Sequence, residues 1–325
     1  MHSGVEVENL SKTFQLTRWR GIRRTITEIP AVSDISFVVP EGQSVAFIGP
    51  NGAGKSTTIK MLTGILYPTA GRAHVLGMTP WRQRRKLAYD IGAVFGQRSQ
   101  LWYHLPPGDT FELLARVYNM RRAEFERTRD VLIERFGLGP FLHIPVRKLS
   151  LGQRMRAEVA ATLLHRPKVL FLDEPTIGLD VIARQELRDL IREWNRQEGV
   201  TVFLTSHDAG DIEHVAERVI VINRGRVVLD DRVAAVRRQY LGSKILRVQF
   251  HERPVPFDQP GVRTVQRSEY ELTLEVDTAV TPIPQVMEMV LKAAPVADIS
   301  IEDPPLEEVI ARIYTSTSTV RGGPS

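Results

Sequence analysis

Two groups of residues in this 325-residue chain have the types and spacing of reactive groups. The first is Gly49-Pro50-Asn51-Gly52-Ala53-Gly54-Lys55-Ser56, followed by Thr57. It satisfies G-x-x-x-x-G-K-[ST], in which glycine lets backbone N–H groups turn inward around phosphate oxygens. Lys55 supplies a charge to the β- and γ-phosphates of a nucleotide, and Ser56 a hydroxyl for Mg²⁺. The second group closes the apolar run Val169–Leu172 with Asp173 and Glu174. A carboxylate at the C-terminal end of a buried parallel strand faces the crevice where α/β proteins bind ligands. Asp173 is suited to hold the cation, directly or through water, and Glu174 to orient or deprotonate an attacking water. A lone histidine, His207 in Thr205-Ser206-His207-Asp208, follows another strand-like run. In isolation, Asp173-Glu174-Pro175 also reads as a helix start and His207 as a solvated loop residue.

These groups need strands and helices to hold them, and the sequence supplies an alternation of both. Gln43–Ile48 reads as a strand entering the Gly-rich turn and Lys55–Thr63 as the helix leaving it. The turn thus ends at a helix N-terminus, which favours anions. Residues 109–165 read as mostly helical, interrupted at Gly137–Pro140 and Pro145, and Val181–Glu198 as one amphipathic helix ended by Gly199. Thr201–Thr205 and Arg218–Ile222 are strand-like. Beyond Leu241–Lys244 the pattern changes. Ile245–Phe250, Tyr270–Asp277 and Val296–Ile301 read as strands, Pro284–Ala294 and Leu306–Tyr314 as helices, and residues 316–325 as a disordered tail. The fold class is therefore α/β with a small α+β C-terminal domain, divided as 1–242, 243–315 and 316–325.

Composition excludes several alternatives. With no cysteine, disulfide frameworks, thiolate metal sites and cysteine nucleophiles are out. No apolar run approaches the roughly 18 residues that span a bilayer, and the N-terminus lacks the basic and apolar regions of a signal peptide. The net charge of +5 is unevenly placed: 35 Lys and Arg against 26 Asp and Glu up to residue 242, then 8 against 12. A basic first part suits phosphate-bearing ligands, nucleic acid or anionic headgroups, without choosing among them.

The order Gly49–Thr57, Gln97, Leu149-Ser150-Leu151-Gly152-Gln153, Asp173-Glu174, Gly178-Leu179-Asp180 and His207 resembles the ATP-binding subunit of an ABC transporter, over residues 5–240. It is most similar to the ATPases of two-component bacterial exporters, the daunorubicin-resistance-like group. The resemblance implies a P-loop NTPase core of the ABC type with a helical subdomain at about 97–165, and ATP and Mg²⁺ as ligands. Phe14 matches the aromatic that stacks on adenine, although the segment Arg18–Pro30 behind it is longer than usual. Gln97 matches the glutamine that contacts Mg²⁺ and water. Ser150, Gly152 and Gln153 match the signature LSGGQ, with Leu151 in place of its first glycine. Asp180 matches the loop that crosses the dimer interface, with Ile177 ahead of it where relatives have a small or polar residue, and His207 matches the switch histidine.

In such a subunit the signature of one copy caps the ATP held by the other, so a second copy of the chain is an expected partner. The resemblance further implies a separately encoded polytopic membrane permease, export of an unspecified substrate, a cytoplasmic location on the inner face of the membrane, and no nucleic acid. The stretch Gln97–Pro107, including Trp102-Tyr103-His104, marks the expected docking groove for the permease. The basic runs Arg18–Arg24 and Trp81–Lys86 suit headgroups, acidic loops of a membrane subunit, nucleic acid or plain solvent. The alternative function is a non-transport ABC ATPase acting on ribosomes or DNA. It is disfavoured by the single motif set and by the 92 positions between Ser56 and Leu149, which carry no long heptad run.

Overall fold

A computed structural model describes residues 3–20, 23–96, 99–240, 243–253 and 259–303. The chain forms two compact units, Met1–Asp231 and Arg232–Ser325. The division falls ahead of the composition change at Leu241–Lys244, because the helix Val233–Tyr240 goes with the second unit.

Short runs of β-branched and aromatic residues make the central strands of the first unit, since such residues pack on a pleated surface buried on both faces. After the hairpin strands β1 (Ser3–Arg20) and β2 (Arg23–Pro40) come β3 (Ser44–Ile48), helix α1 (Lys55–Leu62), β4 (Ala70–Val75), the short α2 (Arg84–Leu87) and β5 (Ile91–Phe95). Three helices follow, α3 (Pro107–Val117), α4 (Arg122–Arg135) and α5 (Leu151–Leu163), then β6 (Val169–Asp173), α6 (Val181–Glu198) and β7 (Thr201–Ser206). The unit closes with α7 (Ala209–Val215), β8 (Arg218–Asn223) and β9 (Arg226–Arg232). The main sheet has the order β5-β6-β7-β3-β8-β9. The pairs β5/β6, β6/β7, β7/β3 and β3/β8 are parallel, with Asp173 opposite Thr205 and Ile48 opposite Ser206. The ends of β3, β6 and β7 therefore share one edge, and the reactive groups stand at or just beyond it.

A second sheet, β2-β1-β4, is antiparallel. Its hairpin strands lose register between Val7 and Leu10, near Asn9 (φ 48°) and Asp34 (φ 56°). Asn and Asp tolerate this left-handed conformation better than other side chains. Val5, Val7, Leu10, Phe37, Ile59 and Leu62 fill the core beside Phe47 and Phe203 of the main sheet. Phe47 and Phe203 have ring centroids 5.3 Å apart, and Phe37 and Phe47 5.7 Å. The other core holds Phe111, Phe125, Leu132, Phe136, Leu163 and Trp194 with Leu172 and Leu204 of the sheet. It is where α3–α6 bury their apolar stripes, as amphipathic helices must.

In the second unit, α8 (Val233–Tyr240) precedes β10 (Ser243–Phe250), β11 (Val262–Arg267), β12 (Glu271–Asp277), α9 (Ile283–Ala293) and β13 (Val296–Glu302). The sheet order is β11-β12-β10-β13, with Val286 and Val290 of α9 packed on Leu246, Val248, Leu272, Leu274 and Val276. Strand β11 has no counterpart in the sequence reading, because most of its residues are exposed and carry no apolar alternation. The expected helix Leu306–Tyr314 and the tail 316–325 lie outside the described residues. Among the described residues, no helix is long and apolar enough to cross a membrane.

Candidate nucleotide-hydrolysis site

The phosphate loop joins fully buried β3 to α1. Gly54 caps α1 at φ 110°, and a Cβ there would sit 2.6 Å from the Ala31 carbonyl oxygen, so the position requires glycine. The loop is braced by Ala53 N–H donating to the Pro50 carbonyl (3.0 Å) and Gly225 N–H donating to that of Ala53 (3.0 Å). Asn51 and Gly52 are exposed, whereas Ala53, Gly54 and Lys55 are buried and Ser56 and Thr57 half-buried. Lys55 Nζ donates to the Gly49 carbonyl at 2.6 Å and lies 3.4 Å from Glu174 Oε1.

The two carboxylates end β6 against this loop. Asp173 Oδ1 accepts from Ser56 Oγ at 3.1 Å and from Thr205 Oγ1 at 2.7 Å. Glu174 adopts φ 55°, a left-handed conformation rare for its type. Its N–H donates to the Thr205 carbonyl (3.1 Å) and hydroxyl (3.2 Å), which holds that turn. Its carboxylate accepts from His207 Nδ1 at 2.6 Å. Glu174 thus stands between Lys55 and His207. Gly49, Lys55, Ser56, Asp173, Glu174 and His207 are brought together in one network. Thr205 belongs to it as well, and sequence reasoning passed it over. Its signal was the parallel register, which sets the residue two before His207 opposite Asp173.

A buried ion cluster underlies these loops. Asp211, fully buried, accepts from Thr176 Oγ1 (2.5 Å), Ser206 Oγ (2.6 Å) and Arg188 Nε (2.6 Å). Asp208 accepts from Arg188 Nη2 (2.8 Å) and Arg184 Nη1 (2.6 Å). Helix α6 is thereby tied to the turn after Glu174 and to the strand end before His207.

The remaining expected residues stand elsewhere. Ser150 caps α5: its Oγ accepts from Gln153 N–H (3.2 Å), and its own N–H donates to Gln153 Oε1 (3.0 Å). This reciprocal capping box starts the helix at Leu151. Asp180 caps α6 through Ala183 N–H (2.8 Å). A Cβ on Gly152 would lie 2.8 Å from Ala183 Cβ, so the two caps form one patch. Ser150, Leu151, Ile177, Asp180, Val181 and Ile182 on that patch are exposed. Phe14 on β1 is 37% exposed, opposite Ile29, with Lys12 Nζ 5.3 Å from its ring centroid. Gln97 lies outside the described residues. Trp81 packs against the core, leaving Arg82 to Lys86 exposed, while Trp102 and Tyr103 are exposed.

Comparison with known proteins agrees with this geometry. Residues 32–177 match the family described as ABC transporter. A lantibiotic transport ATP-binding protein, SrtF of Streptococcus pyogenes, is 33% identical over 251 residues, covering 77% of this chain and 96% of that protein. The daunorubicin/doxorubicin resistance ATP-binding protein DrrA of Streptomyces peucetius is 32% identical over 252 residues, 76% of this chain and 71% of that protein. Among solved structures, a dimeric ATP-binding cassette in a post-hydrolysis state bound to ADP and Pi superposes with a TM-score of 0.60 at 26% identity, covering 70% of this chain and 98% of its own. A phosphate loop, two carboxylates and a histidine in one network, on this fold and among these relatives, place the chain in the family of ABC transporter ATP-binding subunits, which bind ATP and couple its hydrolysis to transport.

Proposed function

We propose that this chain is one half of a two-chain ATPase whose copies hold two ATP molecules between them and drive a separately encoded membrane permease. The observation that carries the reading is the split between two sites. Lys55, Ser56, Asp173, Glu174 and His207 converge, whereas Ser150 spends its hydrogen bonds on Gln153 and faces solvent. A second copy brings the missing signature to the phosphates. Closure then follows because ATP binds the closed pair better than the open one.

In this reading the phosphate-loop amides and Lys55 bind the β- and γ-phosphates, and Phe14 offers its exposed face to adenine. Glu174 accepts a proton from the attacking water, and His207 holds that carboxylate and approaches the γ-phosphate. Gln97, placed by resemblance, contributes to positioning the water, and Asp180 lies against the partner copy.

The donor set suits Mg²⁺. Among the described residues no group of three or more His, Asp or Glu is arranged to hold a metal ion by itself, as a dedicated all-protein cage would. One hydroxyl and one carboxylate, Ser56 and Asp173, stand 3.1 Å apart, and Mg²⁺ characteristically takes few protein ligands beside phosphate and water. Bound there, the ion would neutralise developing phosphate charge.

Export is favoured by the likeness to SrtF, a lantibiotic transport protein, and DrrA, a daunorubicin/doxorubicin resistance protein. Exposed Trp102, Tyr103 and Leu105 suit an apolar contact with a permease, which supports a place for the protein on the inner face of the membrane. The experiment is co-expression with a polytopic membrane protein from a neighbouring reading frame, if one is encoded there, then purification in detergent and reconstitution into vesicles. ATP-dependent substrate movement that disappears in Lys55→Ala supports the reading. A stable complex with ribosomes or DNA and none with a membrane protein would defeat it.

A further inference from the structure

Helix α5 carries a buried carboxylate that the hydrolysis site does not use. Glu158 is 3% exposed, two turns beyond the Ser150 cap. Its oxygens accept from Ser99 Oγ at 2.5 Å and from the Gln100 N–H. The Gln100 side chain continues the bridge, donating to the Ala93 carbonyl of β5 (2.5 Å) and to Thr162 Oγ1 on α5 (3.1 Å). Ser99 Oγ also accepts from Leu101 N–H at 3.1 Å. Burial pushes the Glu158 carboxyl up from its ordinary range, while the Gln100 and Ser99 donors and the charge of Arg154 pull it back. A lone helix cap or core contact would not require a carboxylate here. An apolar side chain would avoid the desolvation cost. What the carboxylate adds is a directional tie to two donors on another segment.

That segment touches the chemistry at its other end. Gly96 N–H donates to the Asp173 carbonyl at 3.0 Å. A Cβ on Gly96 would lie 2.9 Å from the carbonyl oxygens of both Asp173 and Glu174, so the backbone there is in direct contact with the two carboxylate residues. Contacts join Asp173 and Glu174 to Gly96 at the end of β5, and Ala93 of the same strand through Gln100 to Glu158 and along α5 to Ser150. Phe95, Gly96 and Ser99 on one side and Leu151, Met155 and Glu158 on the other line one small cavity. The hydrogen bonds of Glu158 to Ser99 and Gln100 hold the two sides together.

We infer that Glu158 is a positioning residue which latches the strand end beside Asp173 and Glu174 to the signature helix, so that engagement of Ser150 by a second copy is felt at the hydrolysing carboxylates of its own chain. This rests on the two-copy reading above. Coupling through such a path changes turnover by between about 2- and 30-fold without touching the ligand.

The test measures ATP turnover, ATP affinity and thermal midpoint for Glu158→Ala, Glu158→Gln, Ser99→Ala and the double variant Ser99→Ala/Glu158→Ala, with Ser150→Ala as reference. The inference expects kcat to fall within that range in Glu158→Ala, ATP affinity to stay within about twofold, Glu158→Gln to recover part of the loss, and the double variant to be no worse than Glu158→Ala. Unchanged kcat in Glu158→Gln and Ser99→Ala, or additive losses in the double variant, would overturn it even if Glu158→Ala fails to fold. If Ser150→Ala abolishes turnover while the Glu158 and Ser99 variants do not change it, this inference alone fails. If Ser150→Ala hydrolyses ATP normally, the two-copy reading fails with it.

Discussion

Replacing Asp211 by alanine removes the acceptor of three donors at once, the Thr176 and Ser206 hydroxyls and Arg188 Nε. Asp211 is fully buried and Arg188 nearly so, so water cannot compensate freely. Breaking a buried ion pair from one side costs about 3–5 kcal/mol, because the surviving charge stays buried. Here Arg188 keeps Asp208 at 2.8 Å, which argues for the lower end, about 3 kcal/mol. For a unit of this size each kcal/mol lowers the melting midpoint by roughly 2–4 °C, so the first unit should melt about 6–12 °C earlier. Asp211→Asn keeps the shape and one carbonyl acceptor and should cost about half as much. Calorimetry or near-UV circular dichroism reads the shift. The loss should persist in 1 M salt (Debye length ~3 Å), because a buried pair is little screened. Thr176 and Ser206 flank the residues on either side of the Glu174–His207 contact, so turnover should fall while ATP affinity, set by the phosphate loop, holds. A midpoint shift in Asp211→Ala below about 2 °C would refute the reasoning.

Lys55→Ala removes a buried ammonium aimed at the loop carbonyl of Gly49, and charge-assisted hydrogen bonds of this kind are worth about 1.5–3 kcal/mol. ATP affinity should drop by roughly 10- to 150-fold in equilibrium binding, and unchanged affinity would remove Lys55 from the phosphate site. His165 stacks on Tyr118 at 3.9 Å and donates from Nε2 to the Ile91 carbonyl at 3.0 Å, leaving its buried Nδ1 without a partner. Burial lowers its pKa, so the unfolded chain takes up the proton first. Stability should be full above about pH 6.5 and fall as pH drops through and below it, and His165→Gln should flatten that slope in urea melts. Identical slopes in the two proteins would show that His165 is not the titrating group.

The phosphate loop, both carboxylates and the histidine were readable because each is a short motif tied to a strand end or helix start. A buried parallel strand announces itself as a continuous apolar run, as Val169–Leu172 does. What escaped was long-range or lacked periodicity. The extended β1–β2 hairpin is interrupted at Asn9 and Asp34, which break the alternation that marks a strand. Strand β11 is largely exposed and offers no pattern. Thr205 gains its meaning only from lying opposite Asp173, and Asp211 only from the approach of Arg188 and Thr176. Glu158 reads as one polar residue in an amphipathic helix until Ser99 and Gln100 are placed on it. Local spacing reveals groups that act on a ligand; the groups that hold them need tertiary contacts to be seen.

The most direct measurement is sedimentation velocity of Glu174→Gln, alone and with Ser150→Ala, in the presence of Mg²⁺ and either ATP or ADP. With the water-activating carboxylate removed and phosphate binding intact, ATP should convert Glu174→Gln into a two-chain species with little turnover. ADP should not, and Ser150→Ala should abolish the conversion. A Glu174→Gln protein that hydrolyses ATP at the parent rate, or that stays a single chain with saturating ATP, would contradict the account.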